Sequence, residues 1–316
     1  MSTPPSLDLP TATRRAAVET VRGTFAVLEA LPEASEASEA GAAGAAGAAG
    51  LGTALLVPGY TGSKEDFIPL LGRLSAAGRR VLAVDMRGQY QTPGPDDPGA
   101  YDPGQLGADV AALATATGAA HLLGHSFGGL VAREAVLGGG CAPASLTLMC
   151  SGPAALPGPR AQELRFMLSL IAGTAPAGLK RKIAEIWHEV LEPQAIADGV
   201  PAPIIAFLKE RMLANSPAGL AAMARHLLAA PDKTRQLARR GVPELVLYGA
   251  DDNAWPPSQQ AEMAARLSAS RVVIPGAAHS PAVEAPAATA DALTSFWNAV
   301  EGVGIPATPG QASQLR

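Results

Sequence analysis

Gly124-His125-Ser126-Phe127-Gly128-Gly129 is the stretch that decides how the rest of this 316-residue chain is read. Ahead of it runs Ala119-Ala120-His121-Leu122-Leu123, short, apolar and bounded by glycine, as a buried strand would be. Behind it, Leu130 to Leu137 has apolar residues at helical spacing and stops at Gly138-Gly139-Gly140, where a glycine C-cap is expected. A serine between strand and helix in the frame G-x-S-x-G sits on a strained turn that lifts its hydroxyl above the sheet. Side chains at Gly124 and Gly128 would collide with the crossing elements, so glycine is needed there. With 34 glycines in the chain the bare pentapeptide turns up by chance in roughly one such sequence in five, so partners elsewhere must carry the argument.

Composition narrows the field. The formal net charge is −4, which offers no basic face to nucleic acid. Cys141 and Cys150 lie in or beside apolar sequence, and no spaced Cys/His cluster suggests a metal. Both thiols are expected to be reduced, which fits a reducing compartment. Residues 1–15 lack an apolar signal core, and no apolar run reaches the ~18 residues needed to span a membrane. The expectation is a soluble, cytoplasmic protein acting on a small molecule with neither metal nor organic cofactor, its oligomeric state left open.

Taken in order, residues 1–20 read as a flexible N-terminus, and Val21 to Leu31 as a first strand. The Ala/Gly-rich residues 33–50 read as a flexible connection between two edge strands. Thr53–Val57, Arg80–Val84, the strand before Ser126 and Ser145–Met149 follow, alternating with helices at 66–77 and 105–117. That alternation predicts a mostly parallel, doubly wound α/β sheet with right-handed crossovers. From 153 to 240 no strand is evident, only helical segments at 162–172, 180–191, 204–213, 220–229 and 233–239. The sheet resumes at Glu244–Tyr248 and Arg271–Ile274, and a last helix runs from about 287 to 300. The predicted organisation is a core of 21–152 and 241–300, a helical insertion of 153–240 and a flexible tail of 301–316.

Serine needs a base within hydrogen-bond reach, itself oriented by an acid, and in an open α/β sheet such groups gather at strand C-termini. Two strands after the insertion end suitably. Gly249-Ala250-Asp251-Asp252-Asn253-Ala254-Trp255-Pro256 follows one, and Pro275-Gly276-Ala277-Ala278-His279 the other. The chain order Ser126, Asp252, His279 is that of one serine-triad lineage and not of others.

On these residues the chain resembles the α/β-hydrolase fold superfamily, in its lidded esterase, lactonase and perhydrolase branch. The resemblance runs from about Thr53 to Val300, outside the insertion. Gly249, Asp252 and Pro256 match the family's G-x-x-D-x-x-x-P, and Gly276, His279, Glu284 and Pro286 its G-x-x-H-x-x-x-x-E-x-P. Pro58-Gly59-Tyr60-Thr61-Gly62-Ser63 resembles the H-G-x-x-x-S loop, with Pro58 for the usual histidine. Asp85-Met86-Arg87-Gly88 resembles the D-x-R-G turn but continues as Gln89-Tyr90-Gln91-Thr92. The resemblance implies an α/β-hydrolase fold with a helical lid, and an oxyanion hole made by the backbone N–H groups of Tyr60 and Phe127.

Several residues compete for these roles. His121 and His125 read as structural, and His188 and His226 lie on insertion helices. Only His279 follows a strand end and trails the acid. Asp251 rivals Asp252 by one position, and Asp85 reads as a turn-former. Phe166, Met167, Trp187, Phe207, Met212 and Met223 suggest an apolar pocket, or merely packing of the insertion onto the core. The expected chemistry is hydrolysis of a small to medium apolar carboxylic ester, lactone or thioester through an acyl-enzyme on Ser126. Acyl transfer to peroxide or C–C hydrolysis with the same residues, and ligand binding without turnover, are the alternatives.

Overall fold

The computed structural model describes residues 2–32 and 51–303, so the stretch 33–50 and most of the tail 301–316 lie outside the described residues. Eight strands form one sheet: β1 (Thr13–Thr20), β2 (Gly23–Ala30), β3 (Thr53–Val57), β4 (Val81–Val84), β5 (Ala119–His125), β6 (Ser145–Met149), β7 (Glu244–Gly249) and β8 (Ser270–Ile274). Their spatial order is β1-β2-β4-β3-β5-β6-β7-β8. β2 runs antiparallel to both its neighbours, and the six strands from β4 to β8 are parallel. In the interior parallel strands nearly every side chain is buried, which is why they read as continuous apolar runs and not as alternations.

The N-terminal part departs from the flexible lead expected over residues 1–20. Thr13–Thr20 is a full-length edge strand, paired with β2 from Thr13 opposite Ala30 to Thr20 opposite Gly23. Its half-buried positions are Thr13, Ala16, Val18 and Thr20, and with one valine among them its alternation carries little hydrophobic signal. β3 is not an edge strand either: it lies between β4 and β5, and the sheet's edges are β1 and β8.

Two apolar layers cover the sheet. Helices α1 (Ile68–Ala76), α11 (Pro281–Glu284) and α12 (Pro286–Glu301) pack on the face presented by Leu56, Ala83 and Leu123. The other face, with Leu55, Val57 and Leu122, meets α2 (Pro103–Thr117), α3 (Phe127–Gly138) and α10 (Pro257–Leu267). Successive residues of one strand thus serve opposite layers, as the pleat requires.

Between β6 and β7 lie α4 (Gly158–Ile171), α5 (Pro176–Ile186), α6 (Glu192–Ala197), α7 (Ala202–Ala214), α8 (Pro217–Ala229) and α9 (Thr234–Ala238). The sequence pattern missed α6, whose Pro193 reads as a breaker. In the structure the chain runs from α5 through a π-helical turn at Trp187–Leu191 directly into α6, and this widened turn lets Pro193 stand within continuous helix. Ile183, Trp187, Phe207 and Leu208 give this segment a small core of its own. No helix among the described residues is long and apolar enough to cross a membrane.

Candidate active site

β5 ends at His125 and α3 begins at Phe127, leaving Ser126 alone at the turn with φ 55° and ψ −121°. A non-glycine residue there stores about 1–3 kcal/mol of backbone strain. The surroundings enforce it. A Cβ at Gly124 would strike the Gly128 carbonyl, and one at Gly128 would strike the carbonyls of Val57 and Pro58. The Ser126 N–H donates to the Met149 carbonyl at 2.9 Å, pinning the turn to the tip of β6.

His279 stands 3.0 Å from the Ser126 hydroxyl through Nε2 and 2.9 Å from Asp252 Oδ1 through Nδ1. The structure thus brings together the three residues that the sequence placed after β5, β7 and β8. It also separates the two acid candidates: Asp252 is buried and faces the imidazole, whereas Asp251 is exposed. Burial alone would raise the Asp252 pKa. The His279 hydrogen bond and charge, the Ala254 N–H at 2.9 Å and Gln260 Nε2 at 2.7 Å outweigh it, and the net shift is downward. An ionised Asp252 places the imidazole proton on Nδ1, leaving Nε2 free to accept from Ser126.

His125, read as structural, has a defined partner: its Nε2 donates to the His279 carbonyl at 2.7 Å. Burial, then the neighbouring His279, pushes its pKa down to about 3, so it stays neutral in this role. His121 lies at the other end of β5, between Ser145 and Glu301. His188 sits on the surface against Glu192. Neither His188 nor His226 is among the described residues lining the cavity at Ser126.

The loop after β3 presses on the serine: a Cβ at Gly59 would lie 3.2 Å from Ser126 Cβ. Among the described residues, neither the Phe127 N–H, at the start of α3, nor the Tyr60 N–H, next to Gly59, meets an acceptor. Gln89, which the sequence marked only as a departure from the family pattern, holds this loop. Its Nε2 donates to the carbonyls of Gly59 and Tyr60 at 2.8 and 3.1 Å, and its Oε1 accepts from Met86 N–H. Asp85, read as a turn-former, is buried against Lys64, accepting from its Nζ at 2.7 Å and its N–H at 2.8 Å. Burial pushes the Asp85 pKa up to about 6 despite that lysine.

A cavity of about 360 Å³ opens over Ser126 and His279. Apolar side chains of the helices between β6 and β7 form one side of it, among them Leu164, Ile171, Ile183 and Leu220. Of the six insertion residues singled out by sequence, Met167 and Met212 line it. Trp187, Phe207 and Met223 are buried in packing, and Phe166 is exposed. Cys150, Asp252 and His279 offer ligand atoms within 4.8 Å of one another, but the acid and imidazole already engage each other and burial keeps the thiol protonated.

Residues 54–292 match the sequence profile of the Alpha/beta hydrolase family. A protein of Variovorax paradoxus (strain S110), provisionally named carbamate hydrolase RutD, is 41% identical over 97 residues, which is 30% of this chain and 36% of that relative's length. Among solved structures, a provisionally assigned lipase of Acinetobacter baumannii AYE is similar with TM-score 0.70 and 17% identity, over 92% of this chain and 93% of that one. A thermophilic esterase of Thermogutta terrifontis is similar with TM-score 0.64 and 22% identity, over 91% and 99%. At these identities the structural likeness speaks for the fold alone.

Proposed function

The chain belongs to the alpha/beta hydrolase family, and from that premise we propose that it is a serine hydrolase cleaving a small to medium, largely apolar carboxylic ester, lactone or thioester. One observation carries the reading: an unbroken relay from Ser126 Oγ through His279 to Asp252, at 3.0 and 2.9 Å.

In the proposed cycle Ser126 Oγ attacks the substrate carbonyl carbon as its proton passes to His279 Nε2. The oxyanion forms against the N–H groups of Phe127 and Tyr60, each worth about 10²–10³ in rate. The imidazolium, held by Asp252, protonates the leaving alcohol or thiol as the carbonyl re-forms. Water then attacks the acyl-enzyme, giving one proton to His279, which returns it to Ser126 as the acid leaves. The helices between β6 and β7 act as the lid over this chemistry, and their apolar lining supports an apolar substrate. A carbamate is attacked at the same carbon in the same way, and the 97-residue likeness favours it as a second substrate reading. The free thiols of Cys141 and Cys150 support placing the protein in the cytoplasm.

The test is covalent labelling with a fluorophosphonate. The reading expects labelling of the native chain and none of Ser126→Ala. Hydrolysis of p-nitrophenyl esters of rising chain length then narrows the substrate. A native protein that resists the probe and hydrolyses no ester would instead be a binder on this fold.

A further inference from the structure

The segment ahead of β1 reaches the cavity at Ser2. Ser2 lines the space above Ser126, together with Gly62, Asp66 and Met212. Its carbonyl accepts from Nη2 of Arg211 at 2.9 Å. Nη1 of that guanidinium lies 2.6 Å from Asp66 Oδ1 and 3.4 Å from Ser63 Oγ. Arg211 belongs to α7, whereas Ser63 and Asp66 belong to the turn leading into α1. One fully buried guanidinium therefore ties together the helical insertion, the sheet core and the N-terminal segment.

The following residues continue the seam. Pro4 is buried, Leu7 packs on the insertion cluster of Ile204, Phe207 and Leu208, and Leu9 on the core layer of α1 and α12. Pro10 rests against α1 at Gly72, where an added Cβ would meet it at 2.9 Å. A segment of no regular structure thus makes apolar contact with both bodies at once. A buried charge stripped of its partners is costly, which fixes Arg211 and with it the Ser2 carbonyl.

We infer that residues 2–10 hold Ser2 in place as a fixed wall of the substrate cavity, and that this wall sets how long a straight chain the substrate can carry. The inference rests on reading Ser126 as the nucleophile. Removing the wall opens the seam and lengthens the cavity; bulk placed on it shortens the cavity.

Two variants decide it, with folding checked by circular dichroism: deletion of residues 2–9, which leaves β1 intact, and Ser2→Trp in the full chain. Each is assayed on p-nitrophenyl esters from butyrate to decanoate, and by the rate at which butyl and decyl fluorophosphonates label Ser126. The deletion is expected to raise the long-to-short ratio at least about fivefold, and Ser2→Trp to lower it by a similar factor. Labelling needs no turnover, so it separates the two ideas. If native and variant chains label readily with unchanged ratios, the wall is wrong and the serine reading stands. If no chain labels, the serine reading fails and takes the wall with it. Should the deletion fail to fold, the Ser2→Trp ratio decides alone.

Discussion

Gln260 places its Nε2 2.7 Å from Oδ2 of Asp252, on the carboxylate oxygen that His279 does not use, and the same nitrogen lies 2.9 Å from the Trp255 carbonyl. The amide is fully buried. It fixes the carboxylate plane so that Oδ1 stays aimed at the imidazole. A hydrogen bond to a charged group is worth about 1.5–3 kcal/mol, so Gln260→Leu should cost about tenfold or more in kcat while KM moves little. Steady-state kinetics check this; an unchanged kcat would remove Gln260 from the positioning apparatus.

Gln89 holds the Gly59 and Tyr60 carbonyls, and through them the direction of the Tyr60 N–H. Gln89→Leu leaves two carbonyls short of a donor in a buried place, a loss of about 1–3 kcal/mol of stability. It should also slow acylation of Ser126 by the fluorophosphonate at temperatures where the variant is fully folded. Loss of stability with native labelling would mean that Tyr60 supplies no oxyanion contact.

Much of this site was legible in the sequence, and the reason is local. Ser126, Asp252 and His279 each stand in a polar, glycine-bearing loop after an apolar strand, so pattern and chemistry coincide at those positions. The order of strands was less legible: nothing near Thr53–Val57 says that β4 will slip between it and β2. The supporting residues were not legible at all. Gln89, Gln260 and Arg211 act on partners that only the folded chain brings near, and an isolated glutamine or arginine carries no pattern. β1 escaped because an edge strand of arginine, alanine and glutamate shows little alternation of hydrophobicity.

The strain at Ser126 yields a prediction in which stability and activity part. Glycine adopts φ 55° without penalty, so Ser126→Gly should match or exceed native stability even after glycine's larger unfolded-state entropy. It should show no turnover. Gly124→Ala should instead destabilise the chain by several kcal/mol, because its methyl would meet the Gly128 backbone. Thermal melts of the two variants check this; a Ser126→Gly protein markedly weaker than native would mean that the elbow is not strained.

Glu244 opens β7 nearly fully buried, and its Oε1 meets no hydrogen-bond partner among the described residues. Burial pushes its pKa up to about 7 from an ordinary 4.5. For an acid with a raised folded pKa, the unfolded chain loses its proton first. The native state is therefore penalised increasingly as pH climbs from 4.5 toward 7, and the penalty is complete above that. Glu244→Gln should be close to native in stability near pH 4.5 and more stable by about 2 kcal/mol at pH 8. Urea melts at the two pH values check the sign; a variant that gains most in acid would contradict it.

At the same end of the parallel strands Glu301 behaves in the reverse sense. Burial works to raise its pKa, but Arg79, His121 and the Gly52 N–H overcome it and hold the carboxyl at about 2. An acid with a lowered folded pKa lends stability above its ordinary 4.5 and withdraws it as pH falls toward 2. Glu301→Gln should melt well below native at pH 6, and the gap should narrow by pH 3 and close only below about pH 2. A gap that persists in acid would show that packing of α12, and not the ion pair with Arg79, is what the substitution disturbs.

The proposal that a chemical bond forms at Ser126 is tested most directly by rapid-quench mass spectrometry with a p-nitrophenyl ester. The account predicts a transient mass increase equal to the acyl group, located to the peptide carrying Ser126, and a fall of about 10⁴-fold or more in turnover for Ser126→Ala. Turnover undiminished in Ser126→Ala, with no acylated peptide in the native chain, would contradict it.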